Sequence, residues 1–375
     1  MATKDSPFTS YTDTLPQKRV VTDVISLIDP SDAPFIEKIG GLDAGAAKFR
    51  FANWPSTKIE WLEDSLAAYT TTLNTATIAS NATSATVTDA SIFEPGHIIL
   101  INDQTFWVSA ANTTTNVLTI AALGGTGTSH ATTDTITIVG LARVEGADSD
   151  PIAFTSRSSG YNYTQIFHHE IKVSRTQAKI SQWGIGNEFD YQASKVIPTL
   201  MRQMEKHLLF SATRHSGSAS MGRVMGGLPA FITSNSASGA TLSKADFEDA
   251  VQLAWADGGM GPWFAPVTAD NLQKIFGFYE NSNYLRIDRT ETEVGMERVT
   301  MVHTPFGDVY PILDRWAVDG TIYLVDMNQV GMLTYDAFVQ EPLAIDGDYQ
   351  KGQVIGEFTF ACRQDNAHSK LTSVS

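Results

Sequence analysis

From Ile59 to Ala142 the chain carries no lysine and no arginine, and Thr, Ala, Asn and Ser dominate the stretch. Its apolar residues alternate with polar ones in short runs: Thr86-Val87-Thr88, Thr105-Phe106-Trp107-Val108 and Thr135-Ile136-Thr137-Ile138. Alternation of β-branched and aromatic residues fits narrow, half-buried strands. Glu94-Pro95-Gly96, Asn102-Asp103, Asn112-Thr113 and Gly124-Gly125 supply the turns between them. A stretch without cationic side chains cannot grip phosphate and has few groups for acid–base chemistry. A small all-β module is therefore predicted over about residues 75–140, set into a larger protein.

The remaining composition narrows the function classes. With 42% apolar and 18% charged residues the chain can bury a real core. A formal charge of −15 argues against sequence-independent nucleic-acid binding, which needs clustered Lys and Arg. The single cysteine, Cys362, excludes an intrachain disulfide and fits a reducing compartment; it reads as a small buried hydrophobe in a strand. The polar start, Met1 to Pro7, leads into no apolar signal region. No run of about 18 apolar residues offers a membrane span.

Around the module the pattern changes. Val20, Val21, Val24, Ile25 and Ile28 share a helical face that ends at Asp29-Pro30. Ser31 or Asp32 is placed to cap a second short helix through Phe35, Ile36 and Ile39. Helices this short cannot cover each other's apolar faces, so they must lie on another surface. A strand is expected over 48–62, and a returning one over 152–173. The longest helical pattern follows: Phe189, Ala193, Val196, Ile197, Leu200, Met201, Met204, Leu208 and Leu209 recur at steps of three and four. Asn187 is its expected N-cap and Gly217 its expected end, with Pro198 kinking or dividing it. From 226 onward a mixed α/β region is expected. Its helices are one capped by Ser243 and one over 269–279; its strands lie near 264–267, 298–303, 309–313 and 321–326. A further strand is expected at 354–362.

The search for chemistry finds no active site. His168 and His169 fall on opposite faces of a strand and cannot share a metal easily, and their spacing with Glu170 is not H-E-x-x-H. Asp346-Gly347-Asp348, and Asp288 with Glu291 and Glu293, lack the ligand ladder of a calcium loop and read as a turn and a solvated face. His215-Ser216-Gly217-Ser218 lacks the strained elbow of a hydrolase. No phosphate loop or dinucleotide fingerprint occurs, and Gly258-Gly259-Met260-Gly261-Pro262 has nothing basic beside it. No catalytic, cofactor-binding or metal residue is predicted, and no cofactor.

Several segments resemble the major capsid proteins of tailed double-stranded-DNA bacteriophages. Asp23 through Phe35 resembles that family's N-terminal arm, and Gln203–Arg214, with Glu205 before Leu208-Leu209, the end of its spine helix. Gly226-Gly227-Leu228-Pro229 through Ile232 is similar to the opening of its axial domain. Thr304 through Val309 and Asp314-Arg315-Trp316 through Asp326 look like that domain's strands. Leu343 through Gly352, then Glu357 through Phe360, resembles its return.

The resemblance implies an α+β chain divided as follows: an N-terminal arm at 1–47; an extended loop at 48–165 bearing the inserted β domain; a peripheral domain at 166–225 and 345–375, with a spine helix at about 187–214; and an axial domain at 226–344. It implies a non-enzymatic protein that assembles into hexamers and pentamers of an icosahedral shell. The shell would enclose double-stranded DNA without reading its sequence and without touching a membrane. Assembly in the bacterial host cytoplasm is implied, with a separate scaffolding protein, a portal protein and decoration proteins as partners. Some relatives weld subunits through a loop lysine and a neighbour's asparagine. Here only Lys58 lies near the module's base, with Asn366 the acceptor by position, and no such cross-link is expected. Two readings of Pro198 stay open, a fixed kink and a store of strain during shell expansion. A bacterial nanocompartment shell shares the implied fold, and a secreted adhesin or carbohydrate-binding β protein is the reading from another class.

Overall fold

The structure, a computed structural model, describes residues 32–40, 56–74, 78–79, 81–124, 129–146, 157–180, 186–279, 285–288 and 298–373. The chain divides into two compact units, Met1–Trp61 with Gly160–Ser375, and Leu62–Ser159. The expected helix over 20–28, residues 48–55 of the strand expected at 48–62, residues 152–156 of the returning one, and the acidic side chains of Asp288, Glu291 and Glu293 lie outside what is described.

Among its described residues the smaller unit is an antiparallel sheet of six strands. Their order across the sheet is Thr70–Thr72, Thr135–Leu141, His97–Ile101, Gln104–Asn112, Val117–Gly124 and Ser84–Thr86. The alternation seen in the sequence is the reason. Phe106 and Val108, Leu118 and Ile120, and Ile99 and Ile101 point inward to one core, while their neighbours face out. Asn102 and Asn116 take left-handed conformations at the hairpin turns, at φ 50° and 53°, which Asn tolerates.

The larger unit holds, among its described residues, six α-helices: α1 Pro34–Lys38, α2 Arg175–Lys179, α3 Glu188–Phe210, α4 Leu228–Phe231, α5 Lys244–Ala256 and α6 Ala269–Tyr279. It has two cores. In the first, α3 packs on a three-stranded sheet ordered Val330–Pro342, Tyr349–Cys362 and Gln165–Ser174. In the second, α5 and α6 cover a seven-stranded mixed sheet. Its order is Ser236–Ser238, Ser369–Thr372, Thr321–Asp326, Trp263–Val267, Gly307–Leu313, Arg298–Thr304 and Leu285–Asp288. The strands Lys58–Glu63 and Ser158–Tyr163 pair as a separate ribbon. There Gly160 is required, because a Cβ would lie 2.3 Å from the Trp61 indole nitrogen.

Several expectations hold at the residue level. Asn187 caps α3 by accepting from the Phe189 N–H, and Ser243 caps α5 by accepting from the Asp246 N–H. Of the two outcomes expected at Pro198, division is ruled out, since α3 runs through it as one helix.

Three expectations are corrected. First, α3 ends at Phe210, and not near Arg214 or Gly217. After Ser211 the chain turns into a small hairpin with bridges His215 to Val224 and Ser218 to Met221, and Gly217 sits in its loop at φ 80°. Second, Asp32 does not cap α1; Ser31, the other expected cap, lies outside the described residues. The N-cap of α1 is Ala33, with Pro34 in the first turn, and Asp32 pairs with Arg315 at 3.2 Å. Third, the long strand Val330–Pro342 was not foreseen. Its pairing shifts register twice, between Thr334 and Asp336 and between Asp336 and Val339, and each shift scrambles the alternation that marks a strand.

Candidate functional site

Where the sequence offered reactive residue types, the structure scatters them. His168, His169 and Glu170 are all exposed on the strand Gln165–Ser174. His168 Nε2 lies 3.2 Å from Gln353 Oε1, and Glu170 pairs with Lys351 at 3.4 Å. His169, Glu170 and Lys172 line an open, polar groove of about 440 Å3 against Gln177, Glu188 and Gln192. Asp348 forms an exposed ion pair with Arg175 at 2.6 Å. Cys362 is buried in the first core, as a small apolar side chain would be. Lys58 Nζ pairs with Glu60 and lies 4.4 Å from the centre of the Tyr161 ring. Among the described residues no three His, Cys, Asp or Glu side chains gather as a metal site.

The structure instead assembles an anchoring site around α1. Phe35, Ile36 and Ile39 are at most 1% exposed, packed into the core that α3 builds. Between Met201 and Leu208 on the buried face of α3 stands Glu205, itself fully buried. Its two carboxyl oxygens accept from the Phe35 N–H at 2.7 Å and the Ile36 N–H at 3.0 Å. Those are orphan donors at a helix start, so a side chain from 169 residues away along the sequence performs the capping that Ser31 or Asp32 was expected to perform.

Asp314, also fully buried, lies against Glu205, and its Oδ1 accepts from the Trp316 N–H at 2.8 Å. The Trp316 indole N–H donates to the Asp32 carbonyl at 3.1 Å, and Lys206 of α3 stands 4.1 Å from the centre of the Trp316 rings. Burial, and then repulsion from Asp314, push the Glu205 carboxyl up to about 8 against the pull of its two N–H donors. Burial likewise raises Asp314. The readable sign of this site was a carboxylate among Met201, Met204 and Leu208 at helical spacing; nothing in the sequence marked Asp314 as its neighbour.

Nearby, the end of α3 is tied to the start of α4. His207 Nε2 donates to the Met225 carbonyl at 2.7 Å, and burial lowers the histidine's pKa. Gly227 passes so close that a Cβ there would lie 2.3 Å from the Leu208 carbonyl oxygen. In the second core, the exposed Trp255 packs on the half-buried Phe306 at 5.8 Å between ring centres.

This architecture, a spine helix over a long-stranded sheet with a separate α/β sheet, is that of the tailed-phage capsid fold. The profile of the SU10 major capsid protein family matches residues 6–375, and the chain belongs to that family. It is thus a major capsid protein, a structural component of a bacteriophage virion. Among solved structures, the chain in the capsid asymmetric unit of cyanophage A-1(L) is 11% identical, with a TM-score of 0.55 over 98% of this chain and 99% of that one. The mature capsid of bacteriophage PhiM1 aligns at 10% identity and a TM-score of 0.40, over 63% of this chain and 79% of that one. The SrpI encapsulin of Synechococcus elongatus PCC 7942 aligns at 12% identity and 0.44, over 58% and 76%. No curated protein sequence matches the chain.

Proposed function

We propose that this chain closes into hexamers and pentamers of an icosahedral shell around double-stranded DNA. The family match along nearly the whole chain carries the reading. On this reading 1–47 is the arm and 48–165 the extended loop; 166–225 with 345–375 forms the peripheral domain, and 226–344 the axial domain. One sequence must then serve two ring sizes, which heterologous contacts that tolerate small changes of angle allow.

The charge fits the same purpose. A lining poor in cations repels phosphate over about 8 Å, one Debye length, so packaged DNA slides and later leaves. Assembly takes place in the host cytoplasm, with a separate scaffolding protein, a portal and decoration proteins as partners. The exposed Trp255, half-buried Phe306 and 91% exposed Met260 belong to a contact with a second copy of this chain.

Electron microscopy of the purified chain under assembly conditions tests this. Closed shells are expected, and a Trp255→Lys variant with an unchanged melting profile should give few or none. A chain that stays a lone monomer in every condition would overturn the proposal. Nucleic acid, and not an enzyme, as the content of particles from infected cells separates a genome shell from a nanocompartment.

A further inference from the structure

The site around α1 contains a polar atom that its surroundings leave unexplained. Asp314 Oδ2 is buried and meets no hydrogen-bond donor. The group lying against Asp314 is the carboxyl of Glu205, whose own oxygens already take the Phe35 and Ile36 N–H bonds. Two ionised carboxylates in contact inside a core repel strongly. One proton held between them turns that repulsion into a short, charge-assisted hydrogen bond.

The surrounding charges do not relieve the pair. Asp32, from the segment before α1, adds a further negative charge near Asp314 and is itself engaged by Arg315. Arg202 and Lys206 of α3 lie over the Trp316 rings, at 5.9 and 4.1 Å from the ring centre. Glu37 and Lys38 of α1 are exposed. His207, next along α3, is spent on the Met225 carbonyl.

We propose that a proton shared by Glu205 and Asp314 is a latch holding the segment 32–39 on α3, closed at neutral and acidic pH and opened by alkali. Losing that proton leaves two buried anions, and the segment has few other polar ties to hold it: Asp32 to Arg315, and the Trp316 indole to the Asp32 carbonyl. The direction follows from linkage. A carboxyl whose pKa is raised in the folded state favours that state most below its unfolded value, and the advantage is lost as pH rises through the folded value, here about 8. The latch is a property of the single chain and does not depend on the shell reading.

Hydrogen exchange on the full, unassembled chain reads it directly. The Phe35 and Ile36 amides, corrected for intrinsic exchange and compared with the Leu200 amide in α3, should lose protection by up to about tenfold per pH unit between about pH 5 and 8 and level off above 8, where neither the docked nor the released segment holds the proton. In Asp314→Asn the new amide donates to Glu205 without a shared proton. Those two amides should then stay protected through pH 9.5, with the slope gone. A wild-type chain whose Phe35 and Ile36 protection stays flat from pH 6 to 9.5, or an Asp314→Asn chain that keeps the wild-type slope, would overturn the latch. The wild-type profile decides alone should the variant not fold.

Discussion

Single atoms decide how tightly the α3 region is built. Gly227 is glycine because backbone passes within contact of the Leu208 and His207 carbonyl oxygens, where a Cβ would stand at 2.3 and 2.7 Å. Gly227→Ala should therefore destabilise the chain by about 1–3 kcal/mol, read as a lower denaturation midpoint at unchanged slope. His368 makes a second residue-scale case. Its Nδ1 accepts from the Asp326 N–H at 3.0 Å, its Nε2 donates to the Arg363 carbonyl at 3.0 Å, and burial depresses it from 6.5 to about 4. The neutral ring is native, so its contribution is whole above pH 6.5 and disappears as pH falls through 4. Denaturant titrations between pH 7 and 4 should show about 3 kcal/mol lost through this group, and a His368→Gln chain should lose correspondingly less over the same range.

At the scale of elements, α3 is the member on which the first core depends. Its apolar positions face the long-stranded sheet, Asn187 fixes its start, and Ser211 ends it by leaving the helical conformation. Pro198 removes one main-chain donor, yet the helix continues, because packing of Val196 and Leu200 on either side holds the backbone. Pro198→Ala should restore that donor to the Ser194 carbonyl and raise stability by about 1 kcal/mol, measured by thermal melting of the unassembled chain.

Element boundaries also mark where sequence reading worked. The helix over Ala269–Tyr279 and the strand Thr321–Asp326 were legible because their apolar spacing is uninterrupted. Val330–Pro342 was not, since its two register shifts break the alternation, and Ser369–Thr372 was too short and polar to read as strand. The candidate site was legible only in part. Glu205 was singled out as a feature of the spine helix, while its function as the cap of α1 rests on a contact 170 residues away.

For the whole molecule, the two units keep separate cores. The smaller one buries Leu73, Ile99, Ile101, Phe106, Val108, Leu118 and Ile136 among themselves, and Arg143 and Arg157 are its only lysine or arginine residues. A fragment spanning 62–159 should fold alone and melt in one cooperative step by circular dichroism. Replacing the same residues with a short flexible linker should leave the remainder with its helical signal and its cooperative transition. Failure of the fragment to show a transition would mean that its core needs support from outside the unit.

The sequence by itself determined which stretches alternate as strands, which repeat as helices and where Asn187 and Ser243 cap them, because those choices depend on neighbours a few residues apart. It also carried the family, through an order of segments spread along the chain. The tertiary structure alone decided that Glu205 and Asp314 meet, that α1 is capped from α3, and that Gly227 has no room for a side chain. Those outcomes depend on groups distant along the chain being desolvated together, and burial in common leaves no periodic trace in a sequence.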